Sequence, residues 1–248
     1  TIVSAAYQAQ GNREAAQESL TAALTALPDY EPALLASARL KAAARDFVGA
    51  LVIVDGVLAK TPNSYEALLL KGALASAQGD SNASLDLYRK AVEAKPDYLM
   101  AHSAIITSLL QQGKLDEAAK QLDSLKKIAP KNPQTVYLDA QLSYQRKDFK
   151  AARELSQQML KIAPNNPGVL QIAGAVEFQL GAFVQAESYL NKALQQAPEM
   201  PLARRLLVAN YLRTGQATKA SEALAPVLGK IDKDPAFLAL AGQTFLLN

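Results

Sequence analysis

The chain has 248 residues, of which 50% are hydrophobic and 20% are charged, so it can bury a sizeable core and disorder of the whole chain is excluded. Its 26 basic and 23 acidic residues give a net charge of only +3 with the two signs interspersed, which excludes the dense Lys and Arg patch of a dedicated nucleic-acid partner. The absence of cysteine excludes disulfides, thiolate metal sites and cysteine nucleophiles.

Prolines and small residues recur along the chain at one fixed interval of 34 residues. One proline series lies at 28, 62, 96, 130, 164 and 198, and a second lies at 133, 167, 201 and 235. A column of small residues keeps the same interval: Ala16, Ala50, Ser84, Ala118, Ala152, Ala186 and Ala220. Agreement between independent residue types indicates one structural unit copied along the chain.

Each unit contains two stretches with helical spacing of their apolar residues, as in 115–129 and 133–147. The second proline series stands where a helix begins, and the first stands just after the preceding helix ends. Glycine marks the turn between the two helices of a unit, at Gly11, Gly79, Gly113, Gly181 and Gly215; Arg45 and Lys147 stand in its place in two units.

The small residues predict where the two helices of a unit cross. A second small column contains Ser4, Ala38, Gly72, Ala140, Gly174 and Gly242, with Ile106 and Val208 as departures. A large side chain at such a crossing would force the helices apart at a cost of roughly 1–3 kcal/mol.

This pattern resembles the tetratricopeptide repeat and covers the whole chain. In chain order the units span about 1–30, 31–64, 65–98, 99–132, 133–166, 167–200 and 201–234, followed by a lone first helix at 235–248. We therefore expect an all-α fold, an α-α superhelix or TPR solenoid of about seven helix–turn–helix repeats plus one extra helix, forming a single domain over 1–248. The resemblance implies that the first helices line a concave face. The family's usual tryptophan is missing, and Leu34, Leu68, His102, Val136, Leu170 and Arg204 stand in its place.

The last two units depart from the pattern. Pro226 lies inside the predicted second helix of 201–234, where it removes one backbone bond and is expected to bend the helix. Segment 235–248 is apolar nearly all round, whereas the end of a solenoid normally carries a polar outer face. We expect the chain to be a fragment of a longer one, with this end packed against another segment.

Enzymatic chemistry is not predicted. His102 is the sole histidine, so neither a catalytic triad nor a metal site can be assembled around it, and a packed or surface role is favoured. No glycine-rich phosphate loop occurs. We expect no enzyme, no catalytic residue, no metal and no cofactor. No stretch reaches the roughly 18 uncharged apolar residues that a membrane span requires, so no direct membrane insertion is expected.

The tetratricopeptide resemblance implies a ligand groove on the inner positions of the first helices. Its candidate residues are Tyr137, Gln141, Tyr144, Gln145, Gln171, Phe178, Gln179, Arg205 and Arg213, and further inner positions are Arg39, Ser103, Thr107, Gln111 and Gln243. The Lys, Asn and Arg set with which some members grip a terminal carboxylate is not reproduced. Amides can pair with peptide backbone or with sugar hydroxyls, and rings can stack on either ligand. Tyr144 and Phe178 could equally fill space between helices.

Three longer phrases resemble a narrower group, the repeat lipoprotein of the PEP-CTERM exosortase system of Gram-negative bacteria. They are "KPDYLMAHSAIITSLLQQGKLDEA" (95–118), "KNPQTVYLDAQLSYQRKDFKAARE" (131–154) and "LARRLLVANYLRTGQ" (202–216). This resemblance implies a periplasmic or outer-membrane protein, lipid-anchored in its full-length form; a cytoplasmic location is the alternative. Three functions stay open: a scaffold for protein or peptide partners in exopolysaccharide export or protein sorting, a polysaccharide-binding module, and a regulatory appendage of an enzyme.

Overall fold

The computed structural model describes residues 12–230 and 234–247, and every regular element within them is a helix. Ser4 and Gly11 lie outside the described residues. The helices are α1 (Arg13–Ala26), α2 (Glu31–Ala43), α3 (Phe47–Lys60), α4 (Tyr65–Ala77), α5 (Ser81–Ala94), α6 (Leu99–Gln111), α7 (Leu115–Ile128), α8 (Pro133–Gln145), α9 (Phe149–Ile162), α10 (Pro167–Gln179), α11 (Phe183–Gln196), α12 (Pro201–Arg213), α13 (Ala217–Leu224), a 3-10 helix (Ala225–Lys230) and α14 (Pro235–Leu247). The all-α prediction is confirmed.

The chain forms two compact units, residues 1–114 and residues 115–248. In each unit, helices that follow one another along the chain pack in pairs, and each pair packs on the next. The core of the first unit includes Leu35, Val54 and Leu70, and that of the second includes Leu190 and Leu207. The expectation of one continuous domain over 1–248 stays a prediction.

The repeated proline phrase forms the link from one helix pair to the next. In "IAPKNP" (128–133), the N–H of Asn132 donates to the carbonyl of Ala129 (3.2 Å), closing a turn that has Pro130 at its second position. The Asn132 side chain then accepts a hydrogen bond from the N–H of Gln134 (2.9 Å), while Pro133 takes the first position of α8. The two prolines therefore end one helix pair and begin the next, as predicted.

The small residues lie where the two helices of a pair cross. Ala140 and Ala152 are both fully buried, and so are Ala38 and Ala50. A Cβ atom added to Gly174 would lie 2.6 Å from Cγ of Leu190, and one added to Gly72 would lie 3.2 Å from the carbonyl oxygen of Ser84. Because neither contact can be accommodated without movement, these two crossings require small residues, whereas the same column holds the fully buried Ile106 and Val208 in two other pairs.

The turns inside the helix pairs use a left-handed residue. Gly79, Gly113, Gly181 and Gly215 have φ between 70° and 86°. Arg45 and Lys147 adopt the same conformation, with φ of 63° and 62°. For a residue with a Cβ atom, the left-handed conformation costs about 1–2 kcal/mol, and glycine does not incur this cost. The structure thus shows why glycine is used at this position and that two pairs tolerate its loss.

Replacing Lys147 by glycine is expected to stabilise the fold. The left-handed strain that is relieved exceeds the extra conformational entropy that glycine loses on folding. The net gain in the free energy of unfolding is about 0.5–1 kcal/mol. Urea unfolding followed by far-UV circular dichroism measures this change. The opposite exchange, Gly113→Ala, should destabilise by a similar amount. A loss of stability in Lys147→Gly would contradict the role assigned to this turn.

The helix that contains Pro226 ends early rather than bending. α13 stops at Leu224 and the chain continues as the 3-10 helix. The guanidinium of Arg204 donates to the carbonyl of Ala223 (3.1 Å), which 3-10 geometry leaves without its usual α-helical donor, and to the carbonyl of Pro198 (2.9 Å). The predicted kink is therefore absent, and the α-helix changes to a 3-10 helix instead. The side chain of Arg204 donates a hydrogen bond to a carbonyl at this change.

His102 occupies the same position of the repeat as Arg204 and makes an equivalent bond. Its imidazole Nε2 lies 2.9 Å from the carbonyl oxygen of Pro96, which can only accept, so the ring donates. The side chain is buried. At both sites a polar group replaces the family's tryptophan and binds the proline carbonyl six residues earlier. His102 therefore has a packing role, one of the two roles that the sequence predicts for it.

Candidate functional site

The first helices of the pairs in unit 115–248 form one layer. α10 contacts α8 and α12, and α12 contacts α14. Residues that are 34 positions apart therefore lie side by side on neighbouring helices. We call the predicted groove residues of this layer the amide–aromatic face: Tyr137, Gln141, Tyr144, Gln145, Gln171, Phe178, Gln179, Arg205 and Arg213.

Tyr137 lies at the start of this face and is half-buried. Its hydroxyl oxygen lies 3.0 Å from the point where a Cβ of Gly168 would be, so the ring covers the beginning of α10. Burial raises the pKa of the Tyr137 phenol above its usual value, and a hydrogen bond with Gln141 opposes that shift. Tyr137 thus presents a neutral hydroxyl at neutral pH and also packs against the core.

Tyr144 connects two neighbouring helices of the layer. Its ring packs edge-on against Phe149, with 5.6 Å between ring centroids, and its hydroxyl accepts a hydrogen bond from the side-chain amide of Gln179 (3.5 Å). Phe178 makes the equivalent edge contact with Phe183 at 5.9 Å. Both rings are half-buried, so each ring packs between helices and also keeps part of its surface accessible.

The remaining residues of the face differ in accessibility. Gln145, Gln179 and Arg213 are exposed, and Gln171 is half-buried. Arg205 is half-buried and forms an ion pair with Asp234, which lies 3.3 Å away just before α14. The structure therefore aligns the face along α8, α10 and α12. Two pairs of predicted groove residues are in direct side-chain contact: Tyr137 with Gln141, and Tyr144 with Gln179.

Two polar clusters between helix pairs were not predicted from the sequence. Glu177 is 3% exposed and its Oε1 lies 2.8 Å from Nε of Arg153 on α9. One repeat further on, the hydroxyl of Tyr211 donates to Glu187 of α11 (3.2 Å), and burial raises the pKa of that phenol. Glu177 and Tyr211 are 34 residues apart, as are Arg153 and Glu187, so the same two positions carry both contacts. That register is the signal that could have identified them.

Unit 1–114 carries a different surface on its first helices. Arg39 and Glu66 form an ion pair at 3.7 Å. Tyr65 and Tyr98 pack edge to face at 4.7 Å, and the ammonium of Lys95 lies 4.6 Å from the centre of the Tyr65 ring. Burial raises the pKa of the Tyr98 phenol, and the nearby Glu66 carboxylate adds to the shift. Charged groups of both signs are paired here, in contrast to the amides of the second unit.

Two features of the described residues bear on other classes of function. Among residues 12–230 and 234–247, no group of three or more His, Cys, Asp or Glu side chains could hold a metal ion. Over the same residues, no helix is long and apolar enough to cross a membrane.

Family profiles described as tetratricopeptide repeat match residues 32–98, 69–133 and 103–167, and a further one matches residues 177–243. The chain belongs to the tetratricopeptide repeat family. An uncharacterised protein of Sinorhizobium fredii, y4yS, is 35% identical to this tetratricopeptide repeat protein over 68 residues. The match covers 27% of this chain and 37% of that relative, so the chain spans little more than a third of the relative's length.

Solved structures of the family have the same fold at low identity. A tetratricopeptide repeat protein from Parabacteroides merdae superposes with a TM-score of 0.74 at 15% identity, covering 98% of this chain and 96% of that one. A chain of the APC/C hetero-tetramer Cut9–Hcn1 superposes with a TM-score of 0.86 at 13% identity, covering 97% of this chain and 48% of that one. PilF of Pseudomonas aeruginosa gives 0.68 at 15% identity, over 86% and 96% of the two chains. These likenesses show the fold alone.

Proposed function

We propose that the chain is a non-enzymatic interaction scaffold that holds an extended polypeptide across the amide–aromatic face. Tetratricopeptide repeat proteins bind protein partners and are in general scaffolds rather than enzymes. The observation that carries the proposal is the column formed by Gln145, Gln179 and Arg213. These three exposed residues occupy the same position on α8, α10 and α12.

The spacing of this column suits an extended chain. Packed helices lie roughly 8–10 Å apart, and three residues of an extended polypeptide span about 10 Å. Amides at this interval can pair with backbone N–H and C=O groups whatever the partner's side chains are. Half-buried rings at Tyr144 and Phe178 offer apolar contacts beside them. The face therefore fits backbone recognition supplemented by a few side-chain contacts.

Exposed glutamines on the two sides of the helix pairs allow a matched test. A peptide is selected on the immobilised chain from a phage-displayed random dodecapeptide library, and its affinity is measured by fluorescence anisotropy. Gln145→Ala combined with Gln179→Ala should weaken binding about tenfold, since each lost hydrogen bond contributes about 0.5–1.5 kcal/mol. Gln157→Ala combined with Gln158→Ala, two exposed residues of α9, should leave the affinity unchanged. Equal losses in the two pairs, or no selected peptide, would contradict the proposal.

Polysaccharide is the second candidate ligand, because amides beside aromatic rings also suit sugar hydroxyls and ring faces. Titration calorimetry with oligosaccharides cut from a bacterial exopolysaccharide distinguishes the two ligands. Binding that is abolished by Tyr144→Ala, together with no peptide selected in the library, would replace the polypeptide with a glycan. Absence of binding to any exported polymer would eliminate this candidate.

The cellular role that we propose is exopolysaccharide export or PEP-CTERM protein sorting, in the periplasm or at the outer membrane of a Gram-negative bacterium. Its support is the resemblance carried by the phrases at 95–118, 131–154 and 202–216. Cell fractionation tests the location: recovery of the native protein in the cytoplasm alone would contradict it.

A further inference from the structure

Arg213 is the charged member of the exposed column on the amide–aromatic face, and its charge is not neutralised by the described part of the chain. Its guanidinium has no ion pair, hydrogen bond or ring contact with residues 12–230 and 234–247. Six other arginines are engaged: Arg39, Arg89, Arg146, Arg153 and Arg205 each pair with a carboxylate, and Arg204 donates to two carbonyls. The hydrogen-bond donors of Arg213 are therefore available to a ligand.

The place of Arg213 in the last turn of α12 does not by itself account for its charge. A basic residue in a last turn is favoured by the helix dipole. However, α8 and α10 end at the same position of the repeat in Gln145 and Gln179, and neither helix has a basic residue in its last turn. The first helices of this unit therefore do not depend on such a charge, and α12 differs from its neighbours in carrying one.

The first helices of unit 115–248 offer no carboxylate to Arg213. Asp139 on α8 and Glu177 on α10 each pair with a basic residue of the second helix that precedes them. The sequences of α12 and α14 contain no Asp or Glu. Asp234, just before α14, pairs with Arg205. The exposed column therefore runs from neutral amides on α8 and α10 to a positive charge on α12.

We propose that the polypeptide held on the amide–aromatic face carries an acidic side chain, Asp or Glu, that pairs with Arg213. This inference rests on the proposed function and names the chemistry of its ligand. The planar guanidinium can donate two parallel hydrogen bonds to one carboxylate. A backbone carbonyl could also accept from Arg213, but it would leave the positive charge without a counter-ion under the bound chain. Charge complementarity therefore selects an acidic residue at this point.

The spacing of the helices sets where the acid lies in the bound segment. Gln145, Gln179 and Arg213 occupy one position on α8, α10 and α12. Neighbouring packed helices are about 10 Å apart, which three residues of an extended chain span. The acid should therefore lie about three residues from the backbone group that Gln179 binds, and about six residues from the one that Gln145 binds.

Parallel peptide selections test whether Arg213 recognises an acid. The phage-displayed dodecapeptide library is selected on the wild-type chain, Arg213→Gln, Arg213→Glu and Arg45→Gln, and the recovered peptides are sequenced. Arg45 is the control, because it is also exposed and has no side-chain partner among the described residues, but it lies in unit 1–114. The wild-type chain and Arg45→Gln should both enrich Asp or Glu at one aligned position, about fivefold over the starting library.

The two variants of Arg213 should change that preference in different ways. Arg213→Gln should lose the enrichment, and Arg213→Glu should select Lys or Arg at the same position, a reversal that a folding defect cannot produce. Wild-type peptides without a preferred acid would overturn this inference and leave the proposed function standing. No selected peptide would overturn both. Binding of an oligouronate that Arg213→Gln abolishes, with no peptide selected, would place the carboxylate on a sugar and also overturn the inference.

A double-mutant cycle on one selected peptide measures the ion pair itself. Replacing the peptide's acid by its amide should weaken binding to the wild-type chain about fivefold in about 50 mM NaCl, and should leave binding to Arg213→Gln unchanged. The fivefold difference should shrink in about 500 mM NaCl, because salt screens an exposed pair. Equal losses on the two chains would mean that the acid contacts a group other than Arg213, which would overturn the inference.

Discussion

Replacing Ala152 by leucine is expected to lower the stability of unit 115–248 by about 3 kcal/mol, the upper end of the usual cost of overpacking. Ala152 is fully buried on α9, where that helix crosses α8 at Ala140. A leucine adds three carbon atoms at this crossing. In the next pair the residue equivalent to Ala140, Gly174, has no room for even one Cβ atom against Leu190. The helices must therefore separate, and the contacts of α9 with α10 are disturbed as well.

The measurement is thermal unfolding followed by far-UV circular dichroism. For a unit of this size, 3 kcal/mol corresponds to a fall in Tm of about 10 °C. Ala239→Leu is the control, because Ala239 is exposed in the middle of α14 and the same added atoms should have little effect there. An unchanged Tm for Ala152→Leu would show that the crossing between α8 and α9 has been assigned wrongly.

The repeat could be predicted from sequence because its constraints are local. A proline at the start of α8 and another just after α7 restrict the backbone where they stand, whatever lies around them. Small residues at a crossing are also visible without coordinates, since the column from Ala16 to Ala220 is small in every unit. The end of α13 illustrates the limit: Pro226 predicted a disturbance, but neither the 3-10 helix nor the hydrogen bond that Arg204 of α12 donates to the Ala223 carbonyl could be read from the sequence.

The candidate site was less accessible to the same reasoning. Register places Gln145 and Gln179 side by side, but it does not reveal that Tyr144 packs on Phe149 or that Arg205 is paired with Asp234. Those contacts depend on side-chain conformation and on the distance between helices. Exposure was also not predictable, because Val52 looks like a core residue in the sequence and the structure places it outside.

Removing Arg153 is expected to have the second large effect, because it leaves a buried carboxylate without its counter-ion. Glu177 is 3% exposed, whereas the side chain of Arg153 is 46% exposed. Oε2 of Glu177 is buried and has no hydrogen-bond partner among the described residues, so the interaction at Oε1 is the main compensation for burying the charge. Breaking a buried pair costs about 3–5 kcal/mol. The partial exposure of Arg153 places Arg153→Met at about 2–3 kcal/mol.

The two partners should respond unequally, and this asymmetry identifies the cause. Glu177→Met removes a poorly satisfied buried charge and leaves an arginine that water can reach, so its effect on the free energy of unfolding should be below about 1 kcal/mol. Arg153→Met in the Glu177→Met background should then cost almost nothing, which a double-mutant cycle from urea unfolding reports as a coupling of about 2 kcal/mol. Lys60→Met is the control, since its pair with Asp29 is exposed on both sides (64% and 72%) and should contribute less than about 0.5 kcal/mol. If Arg153→Met costs the same with and without Glu177, the loss comes from the packing of the arginine stem and not from the charge. A measured coupling of about 2 kcal/mol would instead show that this ion pair fixes the packing of α10 on α9. The pair would then also set the spacing between the amides of neighbouring repeats.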